Sequence, residues 1–406
     1  MSSYSLEQRV TTLVMALSHH QSIWQSQPYH QDSPDWLQQW PSLGHWLVHL
    51  TDAECRSFEA NELALLTAAQ CHLPVAATLA EYGTFPLSMN PLDPIDNHQF
   101  AHVPGRKLAQ IRHFYQALPQ QVTASRLPVL EWCAGKGHLG RLFALHGHEV
   151  SSLEYDSILC DEGNRLAHRL GRSQQFECLD ALSGAAEDVV HQQQLAVALH
   201  ACGDLHQRLL QNAVMKHTVD VVISPCCYHL SMAEPYQPMS HEVNQLLAQH
   251  KVQLNKQSLR LAVQQTMTAP ERVKRLRAIE ISYRHSFNAL LAQLQITDKT
   301  LASCSKKVFS QSLEVFCRWA CEQLNIVLPN QVDWPQLAKI GEVRWQQQRR
   351  LELARALFRR ALEGILVLDR ALYLQQHGYQ TNIVQFCEPQ ITPRNLLILA
   401  HRYRQP

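Results

Sequence analysis

The sequence predicts an α/β fold built on a doubly wound parallel sheet. Three observations predict it. Five short β-prone runs, LPVLEWCAG, HEVSSLEYD, QQFECLDAL, LAVALHACG and VDVVISPCCYH, follow one another between residues 100 and 235. Their centres, near residues 130, 152, 178, 198 and 222, leave room for one helix between successive strands. A glycine-rich turn, Gly135-x-Gly137-x-x-Gly140, directly follows the first run. Units of this kind wind right-handedly and bind ligands at the carboxyl ends of their strands.

The composition agrees. Of 406 residues, 46% are hydrophobic and 17% charged, against a usual charged share of about 25%. Such a chain has enough apolar surface to bury a core, which excludes a mainly disordered protein. At roughly 100–200 residues per domain, two or three domains are expected. The amino terminus, MSSYSLEQRV, lacks the basic patch and apolar run of a signal peptide. No apolar stretch approaches the ~18 residues of a membrane span. The twelve cysteines are therefore expected as reduced thiols in a cytoplasmic protein with no membrane partner.

Residues 1–95 predict a helical domain. LEQRVTTLVMAL and ANELALLTAAQCHLPVAATLAEYG carry apolar residues at three- and four-residue spacing. Trp24, Trp36, Trp40 and Trp46 are expected to pack between these helices. SMNPLDPIDN, with two prolines, reads as a linker to the core at 100–235. A basic helical insertion follows at 236–375, clearest in MTAPERVKRLRAIEISYRHSFNALLAQLQ and WQQQRRLELARALFRRALEGILVLDRALYLQQ. Gly378 stops the second stretch. The end, 376–406, returns to strand character in TNIVQFC and NLLILAHRY, a β-hairpin that completes the sheet.

The glycine turn lets a ligand approach the backbone, but alone it does not separate a dinucleotide from other adenosine cofactors. Neighbouring acids do. Glu131 lies within the first strand, where a carboxylate suits a cationic sulfonium and an ammonium rather than a pyrophosphate. Glu154, near the end of the second strand, is placed to accept two ribose hydroxyls. Asp180, after the third, is placed to accept an adenine amino group. The plainer account of Glu154 and Asp180 is that they cap the helices that follow. The whole set favours S-adenosyl-L-methionine.

At this point the chain resembles class I S-adenosylmethionine-dependent methyltransferases, in E-W-C-A-G-K-G-H-L-G, L-E-Y-D, C-L-D-A-L, H-A-C-G-D-L and S-P-C-C-Y-H. It is most similar to the methyltransferase-like subfamily with Cys-Gly after strand four and Cys-Cys-x-His after strand five, and ITPRNLLILAHR resembles that subfamily's ending. Some distant relatives with similar cysteine and histidine motifs methylate a tRNA ribose. The resemblance covers about 100–235 and 375–406, and implies a Rossmann-like sheet. It also implies cofactor contacts from Gly135, Gly137, Glu154 and Asp180; Glu131, Cys133 and His200 are further candidates for binding the cofactor. Cys133 stands where the family's first loop glycine usually is.

His200, Cys202, Asp204, Cys226, Cys227, Tyr228 and His229 follow strands four and five. As an acceptor pocket, this cluster would use His200 or His229 as the base that deprotonates an oxygen or nitrogen acceptor, with Asp204 and Cys226 beside it. As a two-thiol centre, Cys202 and the Pro225-Cys226 pair would methylate C5 of a pyrimidine, one thiolate acting as nucleophile. As a zinc site it lacks C-x2-C spacing, so no metal is expected. The cysteines also suit plain burial as small apolar residues. Lys107, at the start of the helix before strand one, borders the cofactor or stands in solvent.

Charge is uneven. The net values are −8 over 1–100, −2 over 101–235 and +11 over 236–406. Arg272, Lys274, Arg275, Arg277 and Arg284 cluster on one stretch, and Arg349, Arg350, Arg355, Arg359 and Arg360 on another. Such rows suit an RNA phosphate backbone or a solvated face. The leading expectation is an enzyme that methylates RNA, tRNA or rRNA. The alternatives are a protein or small-molecule methyltransferase and a non-catalytic cofactor-binding interaction module. A dinucleotide oxidoreductase is disfavoured by Glu131 and the final hairpin.

Overall fold

The computed structural model describes residues 4–88, 100, 103–264 and 269–403. The linker expected in SMNPLDPIDN falls, apart from Ser88, outside the described residues. Every β-prone run becomes a strand. β1 is Val129–Trp132, β2 Val150–Glu154, β3 Gln174–Cys178, β4 Leu195–Cys202, β5 Asp220–Cys226, β6 Tyr379–Gln385 and β7 Leu396–Arg402. They form one sheet in the order β3-β2-β1-β4-β5-β7-β6. β1 to β5 are parallel, and β7 runs antiparallel to both β5 and β6. The hairpin thus rejoins the sheet beside β5. Strand order reverses between β1 and β4, and ligands of open α/β sheets bind outside such a switch point.

Burial follows position. All seven residues of central β5 are buried, as a strand covered on both faces requires. The edge strand β3 buries only Gln174. Five helices frame the site: α1 Gly105–Gln116, α2 His138–Leu145, α3 Ser157–Arg169, α4 Asp204–Lys216 and α5 Arg359–Gln376. Phe114, Phe143, Val129, Leu195, Val197 and Leu397 belong to one core cluster.

The chain folds as two compact units. Met1–Trp24, Pro74–Gln265 and Phe358–Pro406 form the first; Gln25–Leu73 and Thr266–Leu357 form the second. The sequence-drawn boundaries at 1–95 and 236–375 fall elsewhere. Helix Leu6–His19 packs on α5 in the first unit, and the helical stretch WQQQRRLELARALFRRALEGILVLDRALYLQQ is two helices that break at Leu357 and Phe358, where one unit gives way to the other along the chain. The second unit has its own core of Phe287, Phe309, Phe316 and Leu337.

Much of the charge expected on the insertion's surface is instead spent inside the units. In the second, Arg349 grips Glu59 through two bonds of 2.5 and 2.7 Å. Arg350 donates to the Leu50 carbonyl, Arg284 pairs with Glu280, and Arg355 pairs with Glu352. In the first, Arg359 and Arg360 both face the buried carboxylate of Glu363. Arg272, Arg275 and Arg277 are the exposed members of these rows. The even spacing of arginines in the sequence does not reveal which of them meet carboxylates contributed by distant segments.

α5 is buried without interruption from Ala361 to Leu372, yet it carries Asp369 and Arg370, neither accessible to solvent. Asp369 accepts the Tyr236 hydroxyl, the Met239 and Ser240 N–H groups and the Ser240 hydroxyl. Arg370 donates to the Leu366 carbonyl, to Tyr236 and, at 3.0 Å, to His206 Nε2 on α4. Arginine is only a donor. His206 Nε2 is therefore bare, and its proton sits on Nδ1, 3.1 Å from the Ala201 carbonyl that accepts it. Burial and then Arg370 hold this imidazole well below its usual pKa of 6.5.

Removing one partner of such a pair strands the other's charge. Arg370→Leu should cost about 3–5 kcal/mol of unfolding free energy, read as a lower denaturant midpoint; a loss within experimental error would deny the pair its role. The pH dependence has a fixed sign. Below pH 6.5 the unfolded chain binds a proton at residue 206 that the folded chain refuses. The neutral ring's contribution is therefore complete above that pH and is lost as pH falls. Between about pH 7 and about pH 5, the midpoint of the parent should fall more steeply than that of His206→Gln.

Candidate active site

The glycine turn joins β1 to α2, and its glycines do different work. A Cβ on Gly135 would meet nothing within 4 Å. A Cβ on Gly137 would collide with Gln174 and Phe176, both at 2.4 Å. Gly135 thus leaves the backbone open to a ligand, while Gly137 lets the turn sit down on β3. Cys133 takes the glycine's part before them, with φ of 58°. That left-handed conformation costs a cysteine about 1–2 kcal/mol.

Glu154 closes the turn from the end of β2. One oxygen accepts the Gly135 N–H at 2.8 Å and the other accepts the Asp156 N–H at 3.1 Å. Asp156, not Glu154, caps α3. A carboxylate has about four acceptor positions, so two remain for a ligand's hydroxyls. Asp180 is exposed after β3 and uses one oxygen on the Leu182 N–H. Glu131 lies in β1. Its carboxyl is buried under the turn, accepting the Ser152 hydroxyl at 2.8 Å and the Gly140 N–H. Burial pushes it up to about 7. It braces α2 from below. Lys107, half-buried at the start of α1, adds positive potential at Glu131, His138 and His200.

The far wall comes from β4 and β5. Leu199 pairs with Ser224 and Cys202 with Cys226, so β4 takes three steps where β5 takes two. The extra residue makes a bulge, and His200 occupies it with φ of 78°. His200 Nε2 lies 3.1 Å from Gln110 Oε1 on α1. The Gln110 amide nitrogen donates to the Ile391 carbonyl, which fixes the amide's orientation. Oε1 only accepts, so His200 carries its proton on Nε2 and presents a bare Nδ1. His200 is exposed at the end of β4, yet desolvation by the atoms packed around its ring, then the charges of Lys107 and Arg394, lower its pKa.

Cys202 and Cys226 are register partners, with sulfurs 3.6 Å apart. Cys227, at φ of 49°, turns its thiol back so that all three sulfurs lie within 4.8 Å of one another. The Cys226 thiol is raised by its bonds with Cys202 and Cys227, and Cys202 is pushed up to about 11. Cys227 is lowered by bonds from Cys202 and Cys226, with help from Arg394 and His229. Cys226, one of the two thiols that a two-thiol mechanism would use, is buried.

Asp204 is occupied by the protein's own donors. One oxygen takes the Ser231 hydroxyl and Gln207, the other the Met232 N–H at 2.8 Å. It ties the loop after β5 to the start of α4. Tyr228 is buried against Arg370, whose guanidinium lies 5.2 Å from the ring centre. His229 is half-buried, and its Nδ1 is buried with no hydrogen-bond partner among the described residues. Sequence reasoning missed Gln110, a buried polar residue on an amphipathic helix that carries no motif. It also missed Arg394, which acts on the thiols from ITPRN.

Gly203 lets the two loops meet: a Cβ there would lie 2.8 Å from the Leu230 carbonyl carbon. Its φ of 57° and ψ of −126° also suit only glycine. Gly203→Ala should cost at least about 1–3 kcal/mol, while Gly184→Ala, with nothing within 4 Å of its Cβ, should stay within about 0.5 kcal/mol. Equal thermal midpoints for the two variants would refute the contact.

Residues 106–234 match the family model of a methyltransferase domain. No curated protein matches the chain. Among solved structures, it is similar to the bifunctional kinase-methyltransferase WbdD, at 16% identity over 36% of this chain and 34% of that one, with a TM-score of 0.24. It is also similar to a TehB-like SAM-dependent methyltransferase from Corynebacterium glutamicum, at 16% identity over 40% and 73%, with a TM-score of 0.22. The alignment spans about a third of the length of WbdD. The stretch that holds β1 to β5, the glycine turn and both loops of the far wall is the part of the chain that matches a methyltransferase domain.

Proposed function

We propose that the protein is an S-adenosylmethionine-dependent methyltransferase that modifies RNA. The observation that carries the chemistry is a neutral His200 with a bare Nδ1, held across the strand ends from an open glycine turn. The residues present fit the cofactor. Gly135 leaves the space, Glu154 has two acceptor positions left for ribose hydroxyls, Asp180 has one free oxygen for an amino group, and Lys107 supplies a cation for a carboxylate. When bound, S-adenosylmethionine supplies a methyl group on a sulfonium.

The chain's own work is to orient and deprotonate. His200 Nδ1 takes the proton of an acceptor hydroxyl or amine, while Gln110 keeps the other nitrogen protonated and the ring in place. Positioning the acceptor for in-line attack supplies much of the rate. The RNA reading rests on Arg272, Arg275 and Arg277, which stand exposed on helix Glu271–Gln293. Arg355 and Arg359, engaged in ion pairs, would report on stability rather than on RNA.

Calorimetry should show binding of S-adenosylhomocysteine and none of NAD; the reverse preference would sink the cofactor assignment. Glu154→Ala should weaken binding by about 1.5–3 kcal/mol for a lost charged acceptor. His200→Ala should abolish transfer of labelled methyl to total cellular RNA with cofactor affinity nearly intact. In the parent, turnover should fall as pH drops below 6.5 toward the lowered pKa of His200, because the protonated ring accepts nothing. Replacing Arg272, Arg275 and Arg277 with Glu should weaken RNA binding and flatten its log–log salt slope by about 2. Label appearing in protein and not RNA would move the acceptor to the protein class.

A further inference from the structure

We infer that Cys202, Cys226 and Cys227 form a binding site for a zinc-class, thiophilic metal ion. Three sulfurs from the ends of two adjacent strands lie within 4.8 Å of one another. With metal–sulfur bonds of about 2.3 Å and tetrahedral angles, neighbouring sulfurs in a zinc thiolate centre stand about 3.8 Å apart. Cys202 and Cys226 stand 3.6 Å apart, near that value and far beyond the ~2.05 Å of a disulfide. Thiolates select zinc and copper(I) over magnesium and calcium, which prefer oxygen.

Two further observations point to an ion. His229 Nδ1 is buried without a partner among the described residues, two positions after Cys227. It lies outside the 4.8 Å group, so it would reach the ion by rotation of its side chain. Arg394 Nε is likewise buried without a partner, and its charge acts on Cys202 and Cys227. A divalent ion on three thiolates keeps one negative charge, which that guanidinium offsets. Binding displaces the protons still held by the thiols, and the ion takes their place. The site rests on Cys227 folding back in a left-handed turn and on the register of β4 against β5, so it has none of the close sequence spacing of a zinc knuckle.

The test uses the full chain and the metal alone. Protein purified from zinc-supplemented cells should hold about one zinc per chain by plasma mass spectrometry. Cys202→Ser and Cys226→Ser should lose it at least tenfold, while Cys71→Ser, an exposed thiol elsewhere, should keep it. Should the site variants fail to fold, the parent decides. Adding zinc to the metal-stripped parent should protect Cys202, Cys226 and Cys227 from alkylation, and cobalt(II) should give a sulfur-to-metal charge-transfer band that saturates at one equivalent. A parent that binds neither zinc nor cobalt, or a triple Cys→Ser variant that keeps its metal, overturns the site. None of these readouts depends on methyl transfer, so failure here leaves the catalytic reading to its own tests.

Discussion

One extra residue in β4 sets the geometry of the site. Pairing with β5 runs evenly to Leu199, slips, and resumes at Cys202. The slip throws His200 out of the ladder toward Gln110 and returns Cys202 opposite Cys226. Without it, a strict two-residue alternation would turn these side chains to other faces of the sheet. Three of the eight non-glycine residues with positive φ among the described residues, Cys133, His200 and Cys227, sit at the ends of β1, β4 and β5. Each costs about 1–3 kcal/mol, and strain of this kind persists where surrounding structure over-determines it.

Behind the loops lies the structure that bears that cost. Arg370 holds His206 at the head of α4 and packs on Tyr228 after β5, while Asp369 gathers the chain from Tyr236 to Ser240. A helix as buried as α5 would normally be wholly apolar. Two of its charges, Asp369 and Arg370, instead fasten the segments that follow β4 and β5 to one rigid element. Pro225 helps from the other side. β5 pairs with β7 only as far as Ile223, and a proline two residues later has no N–H with which to extend that ladder. The ITPRN turn is left free to bring Arg394 to the thiols.

The sheet was legible because strand spacing, apolar runs and the glycine turn are local. The places of Gly135, Glu154 and Asp180 at or just after strand ends were legible for the same reason. What depended on pairing across the chain was not. Glu131 reads as a cofactor acid, yet it faces Ser152 and Gly140, because the side of β1 it occupies is set by the pleat. Asp204 reads as catalytic, yet its oxygens are filled by Ser231 and Met232 after β5. Arg349 and Arg355 read alike, yet one grips Glu59 from a distant segment and the other a neighbour in its own helix. The chain division shows the same limit. Leu6–His19 looks like the start of a helical domain but buries its apolar face on α5.

The proposed base depends on the protonation of one ring, which nitrogen NMR of histidine-labelled protein reads directly. At neutral pH, His200, assigned by its absence in a His200→Gln variant, should show a bare Nδ1 and a protonated Nε2. An imidazolium at that pH, or a proton on Nδ1, would contradict the claim that the β4 bulge presents a ready base.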